Sequence, residues 1–598
     1  MIYEFKVIDR ACWLVDPDGS SVLLDKGHLE NYIGETKKFF NGDLLEREIV
    51  NKDKYLLELE ENNKKYRFKI VDSKTRDEEI ICFFSTQQST TSGKIKKGRK
   101  EYKLYNVQPL DNSLPKFVVP YGGKLTGNLA IKLKFVNWDD ALPRGEIGMD
   151  GIILENNDEN SDKIIMHHCG IHPRKYLKFD QKIKKRIEEN SYNHLEDKIS
   201  RIDFNKKYPK SFVFSVDNDT TVDYDDAFSF YEDDYEIIVG IHIAQPIYWL
   251  TKEDLDEKMK SQVGTLYGSD SRLDLFGETL TLKSSLKKGE VKASYSTIYT
   301  YSKECEDTII ESYPSLITID ENFSYESDEL ISISETVGLK NFTDSLNGLD
   351  NDYHDIVSYW MIVVNTYIGN KLLNYNNVRQ IPYRVDDKCD VLKINIKEQI
   401  PENIKGKIIG RTRTKARYEY PTDGKDCIHH QLGKKNYCHF TSPIRRIIDT
   451  YIHYLLTYNI DSILDIDVLN KMDSKTRKFH GLINTKLKIK EVFGTDYEID
   501  DNIWICNIIN NNSVEVYLEK LMVFKKISIH HPKFDYMIDD IIKKNDEDGN
   551  ISSIELIAGS DNYSFCVNSK YNVKIFRKDE SLPNRMLLPF YLIDLNKN

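Results

Sequence analysis

Several things are missing from this 598-residue sequence, and each absence narrows what it can do. Its nine cysteines are odd in number and scattered, and no Cys-x-x-Cys pair occurs, which fits reduced thiols better than a disulfide framework. No apolar run approaches twenty residues; one of the longer, Trp360-Met-Ile-Val-Val364, is only core-sized, so a membrane span is excluded. The first residues, Met1-Ile-Tyr-Glu-Phe-Lys6, lack a basic head followed by a long apolar stretch, so no secretory signal is expected and the expected location is intracellular, in the cytoplasm. There is no Gly-x-x-x-x-Gly-Lys-Ser/Thr phosphate loop and no Gly-x-Ser-x-Gly nucleophile elbow, which removes the commonest nucleotide-hydrolysing and acyl-transferring designs. Nor is there an excess of positive charge. With 84 Lys and Arg against 96 Asp and Glu, the net charge of −12 argues against a protein that coats nucleic acid with a uniformly basic surface. Screening over ~8 Å at physiological salt still lets a locally basic groove work within an acidic body.

What is present is enough hydrophobic residue, 40%, for roughly three or four packed domains. The first hundred residues read as short strands: Met1–Ile8, Asp43–Val50, Lys54–Leu59, Tyr66–Val71 and Glu78–Phe84, rich in β-formers with partial alternation. A small OB-type barrel is expected over 1–108. The basic segment Gly93-Lys-Ile-Lys-Lys-Gly-Arg-Lys100 reads either as a solvated loop or as an edge that contacts phosphates. A second OB-like barrel is expected over 109–185, from strands such as Phe117–Pro120, Leu129–Trp138 and Gly151–Leu154, ending in a charged helical connector at Lys182–Glu189. His167-His168-Cys169 reads as a strand edge. From 195 to 475 the pattern becomes mixed α/β, with helices expected at Ile356–Leu373 and Ile444–Leu456. Strands return over 495–598 and predict a C-terminal OB-like barrel. The fold class expected is α+β and multidomain: a mixed α/β catalytic domain flanked by small OB-type β-barrels, two before it and one after.

Two stretches carry the chemistry. Ser215–Phe228 crowds Asp217, Asp219, Asp223, Asp225 and Asp226 into ten residues after the apolar run Ser211–Val216. Two carboxylates ~4 Å apart repel by ~4 kcal/mol at an effective dielectric near 20. Folding several into one pocket therefore needs a cation, and hard divalent ions take oxygen ligands. An EF-hand loop does not fit: counted from Asp217, the sixth position is Val222 and the twelfth is Phe228. The second stretch, Tyr437-Cys-His-Phe-Thr-Ser-Pro-Ile-Arg-Arg446, joins a Thr-Ser-Pro turn to adjacent arginines, a phosphate grip. Upstream, the basic run Lys405–Tyr418 contains Arg413 and Arg417, candidates for the wall of a backbone-binding channel. Cys427, His429, His430, Cys438 and His439 lie within thirteen residues, but their spacing matches no common structural zinc pattern.

The run Asp217-x5-Asp223-x-Asp225-Asp226, then Val239-Gly-Ile-His-Ile-Ala244, then His439-Phe-Thr-Ser-Pro-Ile-Arg-Arg446, resembles the catalytic domain of the ribonuclease II/R (RNB) family. The resemblance implies two cold-shock OB folds before the catalytic domain and an OB-type RNA-binding domain after it. It implies a magnesium-dependent (Mn2+ also possible) hydrolytic 3′→5′ exoribonuclease that degrades single-stranded RNA to nucleoside 5′-monophosphates. By that analogy Asp217 and Asp226 are metal ligands, and Asp223 and Asp225 complete the magnesium pocket. Arg445 holds the scissile phosphate with Arg446 in support, and Tyr267 falls near the family's base-stacking tyrosine. Single-stranded RNA is the expected partner, with no membrane, and the expected state is a monomer or loose complex. The sequence also departs from the family. Gln245 stands where an acid usually follows His-Ile-Ala, Ser358 and Tyr359 stand where an acid precedes Phe-Met, and a late glutamate has only Glu491 as a candidate. These departures motivate the alternative of a catalytically silent RNA-binding protein on the same fold.

Overall fold

A computed structural model describes residues 79–110, 114, 116–139, 142–147, 153–155, 158–171, 174–189, 199–373, 381–387, 401, 404–407, 415–421, 427–458, 464–496, 498–510, 513–528, 540–545, 551–558, 561–567, 569–576 and 593–595, and the strand backbones at 2–8, 11–15, 21–23, 53–60 and 65–73. The expected strand at Asp43–Val50 lies outside the described residues. The chain divides into two compact units, one built of Met1–Gly170, Ile396–Ile408 and Gly481–Asn598, the other of Ile171–Asn395 and Ile409–His480. No described helix is long and apolar enough to cross a membrane.

In the first unit, alternating apolar residues produce a closed barrel. Glu79–Ser85 pairs antiparallel with Asn128–Asp139 on one side and Lys100–Pro109 on the other. Lys100–Pro109 pairs with Phe117–Tyr121, which runs parallel to Leu142–Ile147, and that strand returns to Asn128–Asp139 to close the ring. This is the connectivity of an OB-type barrel. Its interior is filled from every strand by residues such as Phe84, Tyr105, Phe117, Tyr121, Leu129 and Leu133. The pairing moves a boundary. Glu79–Ser85 belongs to this barrel, so the division expected at 108/109 falls inside the strand Lys100–Pro109. Alternation marks a strand but does not name its partner. His167-His168-Cys169 is likewise no strand edge, because both histidines form the last turn of the helix Asp158–His168.

Two further sheets share one strand order. Ser21–Leu23, Ala11–Val15, Ile2–Ile8, Asp53–Glu60 and Lys65–Ser73 form one; Val523–Ser528, Ser513–Leu518, Glu498–Asn510, Lys570–Phe576 and Ile593–Leu595 form the other. In each, the first strand in sequence is central, with the second and third on one side and the fourth and fifth on the other. The middle barrel follows the same order and adds the closing contact.

The second unit is organised by a mixed sheet in the order Ile202–Asp203, Asp307–Thr318, Val291–Ser302, Glu236–Ala244, Asp226–Glu232, Phe212–Asp217, Glu321–Ser324. Period-two alternation separates its faces. Phe214, Phe228, Val239, Ile241 and Ile243 face the main core, into which the helices Tyr353–Leu373 and Ile447–Tyr458 bury Trp360, Val364, Ile447 and Tyr451. Val213, Ala227, Ile238 and Ala244 face a smaller core with Phe204 and Ile298. Both helices were expected within a few residues of where they lie. The connector Arg174–Glu188 is helical.

Candidate active site

The aspartates sit where the strand Phe212–Asp217 ends and Asp226–Glu232 begins, joined by the segment 218–225. Strand pairing therefore brings Asp217 and Asp226 to one end of the sheet. The intervening segment is pinned from below. Ser285 Oγ accepts from Tyr224 N at 2.9 Å and donates to Val222 O at 3.1 Å, and Leu286 N donates to Tyr224 O at 3.0 Å. Asp225 is fastened by its own backbone, since Ala244 N donates to Asp225 O at 2.9 Å. Asp219 is exposed and takes no part.

The arginine motif arrives from the start of the helix Ile447–Tyr458. Ile444 N donates to Asp225 Oδ1 at 2.7 Å and Arg445 Nε to Asp225 Oδ2 at 3.1 Å, joining the two motifs through one carboxylate. Arg445 Nη2 donates to Ser442 Oγ at 3.1 Å, and half of its side chain remains exposed. Arg446 is steadied by Asp449, whose Oδ1 also accepts from Ser442 N, each at 2.8 Å. A third segment is stitched to this one: Thr265 N donates to Arg445 O, Ile447 N to Val263 O, and Gly264 bridges Arg446. A Cβ on Gly264 would lie 3.3 Å from Arg445 O, so the close approach favours glycine. This stitching brings Tyr267 to the aspartates. Its hydroxyl donates to Asp223 Oδ2 at 3.3 Å, while Arg272 donates to Asp223 Oδ1 at 2.9 Å.

Electrostatically the cluster is short of positive charge. Burial, reinforced by Asp226 and Asp225, holds the Asp217 carboxyl well above the usual carboxylate range. Burial raises Asp226 also, against the pull of Arg445 and Arg446. Asp225 is pushed up to about 8 by burial, although Arg445 and the Ile444 N–H favour its charged form. Asp217 Oδ2 is buried without a hydrogen-bond partner. These are the marks of an all-oxygen donor set that fits a hard cation. Among the described residues, no three His, Cys, Asp or Glu side chains already stand in ligand geometry around one point.

Beside the aspartates a cavity of about 310 Å³ is lined by residues including Tyr267, Arg445, Arg446, Asp473, Arg477 and His480. The Nε atoms of Arg446 and Arg477 are buried without hydrogen-bond partners. Tyr267 N donates to His480 Nε2 at 3.2 Å, and the two rings lie 5.8 Å apart.

Of the residues singled out in the sequence, Asp217, Asp223, Asp225, Asp226, Tyr267, Arg445 and Arg446 converge. Arg417 does not join them, because Asp387 and Glu419 hold its guanidinium and it does not line the cavity. Arg413 lies outside the described residues. Glu491 pairs with Lys488 at 2.8 Å, and its side chain is two-thirds exposed. Gln245 is buried away from solvent, where Oε1 accepts from Arg201 at 2.5 Å and Nε2 donates to Thr457 Oγ1 at 3.0 Å. Ser358 is exposed and Tyr359 packs against the main core. Four residues escaped the sequence reading: Arg272, Arg477, His480 and Tyr325. Tyr325 N donates to Asp217 O at 2.9 Å, and its ring stacks on His354 at 3.6 Å. Nothing in the local sequence of any of the four marks it.

Residues 201–341 and 332–461 match the RNB domain family. Among solved structures, the fold is similar to Mycoplasma genitalium RNase R in complex with ribose-methylated single-stranded RNA, with a TM-score of 0.70, 15% identity and 100% of each chain covered. It is similar to the same RNase R in complex with double-stranded RNA, with a TM-score of 0.60 and 16% identity over 88% of this chain and 97% of that one. It is also similar to yeast Ssd1, described as a pseudonuclease, with a TM-score of 0.57 and 13% identity over 93% of this chain and 81% of that one. No curated protein matches the sequence. The order of the motifs and the domain match agree, and residues 201–461 of the chain form an RNB domain.

Proposed function

We propose that this protein is a metal-dependent exoribonuclease that hydrolyses single-stranded RNA from its 3′ end and releases nucleoside 5′-monophosphates. The observation that carries the reading is the junction at Asp225, where an aspartate cluster short of positive charge meets the exposed guanidinium of Arg445. Asp217, Asp223, Asp225 and Asp226 would hold magnesium (or manganese). The bound cation would supply charge compensation and an activated water. Arg445 has its Nε and Nη2 engaged, and its half-exposed head would offset the charge developing on phosphorus. Tyr267 would stack on a base near the scissile bond. The buried Nε donors of Arg446 and Arg477 would take phosphate or ribose oxygens in the cavity, since a buried donor left unpaired costs roughly 1–3 kcal/mol. Assignment of the catalytic part to 195–475 and of the cytoplasm as its compartment belongs to the same proposal.

The departures at Gln245, Ser358 and Tyr359 favour a second reading, a silent RNA-binding protein, and the likeness to both RNase R and a pseudonuclease is one of fold. Product analysis separates the two. On 5′-labelled single-stranded RNA, magnesium should produce progressive shortening from the 3′ end with release of mononucleotides, abolished by a chelator. RNA that is bound but stays full-length with magnesium or manganese would establish the silent reading.

A further inference from the structure

The segment that carries Asp223 and Asp225 gets little support from the strands on either side of it. Pairing between Phe212–Asp217 and Asp226–Glu232 stops at Phe214 and Phe228, and residues 221–225 take no regular secondary structure. Asp217 is held instead by the strand Glu321–Ser324, where it faces Ser324, and Asp226 by Glu236–Ala244, where it faces Ile243. Strand pairing therefore leaves open how far Asp223 stands from Asp217. One hydroxyl closes that freedom. Ser285 Oγ accepts from Tyr224 N at 2.9 Å and donates to Val222 O at 3.1 Å, so it holds the backbone on both sides of Asp223. Ser285 is fully buried, away from water that could replace it.

Ser285 is itself fixed from two directions. It follows the helix Glu278–Ser284, and Ser285 N donates to Thr281 O at 2.9 Å, which ties its backbone to the last turn. Just beyond it, Leu286 N donates to Tyr224 O at 3.0 Å, a third bond onto the same segment. Asn322 secures the other end. Its Nδ2 donates to Leu286 O at 3.0 Å and to Ser215 Oγ at 2.7 Å, and its Oδ1 accepts from Lys288 N at 2.8 Å. Ser215 precedes Asp217 on the same face of its strand. Residues 285–288 thus form a cross-tie, bonded to the segment of Asp223 through Ser285 and to the strand of Asp217 through Asn322. Neither side chain bonds a cluster carboxylate among the described hydrogen bonds, so both act on the site through the backbone.

We propose that Ser285 is a positioning residue that makes the aspartate site selective for magnesium over calcium, by holding Asp223 at the short reach the smaller ion requires. The inference rests on the proposed reading of the aspartates as a cation site, and it is tested without RNA. Magnesium demands near-ideal octahedral geometry at about 2.0–2.1 Å, whereas calcium accepts irregular oxygen shells at about 2.3–2.6 Å, so a loosened segment loses magnesium first. The full chain would be titrated with magnesium or calcium alone, and each apparent Kd taken from the rise in Tm with cation concentration. Ser285→Ala should weaken magnesium binding by about tenfold, the scale of a lost buried hydrogen bond, and calcium binding by less than about threefold. Asn322→Ala, which loosens the other end of the cross-tie, should move the ratio the same way, and it carries the test if Ser285→Ala does not fold. Thr343→Val removes a buried hydroxyl from the helix Ser334–Asn347 and should lower Tm without changing the ratio. In RNA hydrolysis, the magnesium concentration for half-maximal rate should rise in Ser285→Ala by the same factor as its Kd. Equal weakening of both cations, or of neither, would overturn the proposal, as would the same change of ratio in Thr343→Val. If the wild type binds magnesium but degrades no RNA, the exoribonuclease reading fails while the cation ratio still decides Ser285. If it degrades RNA and Ser285→Ala leaves the ratio unchanged, only the role of Ser285 falls. A wild type that binds neither cation overturns both.

Discussion

Asp225 and Arg445 lie 220 residues apart in the chain and meet through a 3.1 Å hydrogen bond between carboxylate Oδ2 and guanidinium Nε, while Ile444 N holds the other oxygen at 2.7 Å. One buried carboxylate thus sets both the mouth of the aspartate cluster and the direction of the arginine. Its replacement tests cluster and arginine together.

Asp225→Asn keeps an acceptor for Ile444 N but removes the charge that Arg445 faces and one oxygen from the proposed cation site. Mononucleotide release should fall by at least about 100-fold, the scale seen when a transition-state donor is lost. RNA affinity measured in chelator should stay within roughly threefold, because the cavity donors are elsewhere. RNA degradation at the wild-type rate in this variant would sink the catalytic reading.

Tyr267 separates stacking from hydrogen bonding. Its hydroxyl reaches Asp223 at 3.3 Å, a long contact, while its ring is set by the Tyr267 N to His480 bond. Tyr267→Phe should therefore retain RNA affinity within a few-fold. Tyr267→Ala should lose the roughly 1–3 kcal/mol of one stacked base, about 5- to 150-fold in Kd. Equal effects in both variants would assign the residue to the Asp223 contact instead.

The sequence revealed the residues that converge on the candidate site better than their neighbours. Asp217, Asp223, Asp225 and Asp226 were legible because four acids on one short segment after an apolar strand have few uses. Arg445 was legible because Thr-Ser-Pro-Ile-Arg-Arg is compact. Their junction was not, since contacts across 220 residues leave no local periodicity. Arg272, Arg477 and His480 were invisible for the same reason: each is an ordinary polar residue until the Gly264–Arg446 bridge draws the segments together. Arg417 misled in the opposite direction, because a basic run does not disclose that Asp387 and Glu419 neutralise it. The barrel boundary failed where the strand Glu79–Ser85 chose a partner some fifty residues downstream.

Gln245 reads differently once its partners are known. Its amide joins Arg201, Thr457 and His453, with Nε2 at 3.3 Å from His453 Nδ1, so it belongs to a buried polar network. Gln245→Ala should destabilise the fold by roughly 1–3 kcal/mol by leaving these groups unsatisfied. That is a fall of several degrees in Tm. Activity of the folded fraction should change less than about threefold, and a 100-fold loss with unchanged Tm would instead put Gln245 in the chemistry.

The buried histidines set the acid limit of the fold. His242 hydrogen-bonds Ser296 Oγ at 2.6 Å and Ser229 Oγ at 3.0 Å, and burial lowers its pKa to about 3. His453 is lowered to about 3 also, donating from Nε2 to Phe440 O and so keeping Nδ1 as the acceptor for Gln245. Their folded values lie below the ordinary 6.5, so between 6.5 and 3 the unfolded chain takes up protons that the native state refuses. Stability from these two groups is therefore complete above pH 6.5 and declines as pH falls, by up to about 1.4 kcal/mol per pH unit for each. The raised aspartates work in the opposite sense, because the native state holds their protons to higher pH, so the histidine contribution is read by difference. At pH 5 one histidine accounts for roughly 2 kcal/mol, or about 4–8 °C in Tm for a unit of this size. His242→Gln should lower Tm at pH 7 yet show a smaller fall from pH 7 to pH 5 than the wild type by about that amount. Identical falls in the two proteins would mean that His242 takes up its proton as readily in the native state as in the unfolded chain, against the serine-lined, solvent-free setting in which the strand places it.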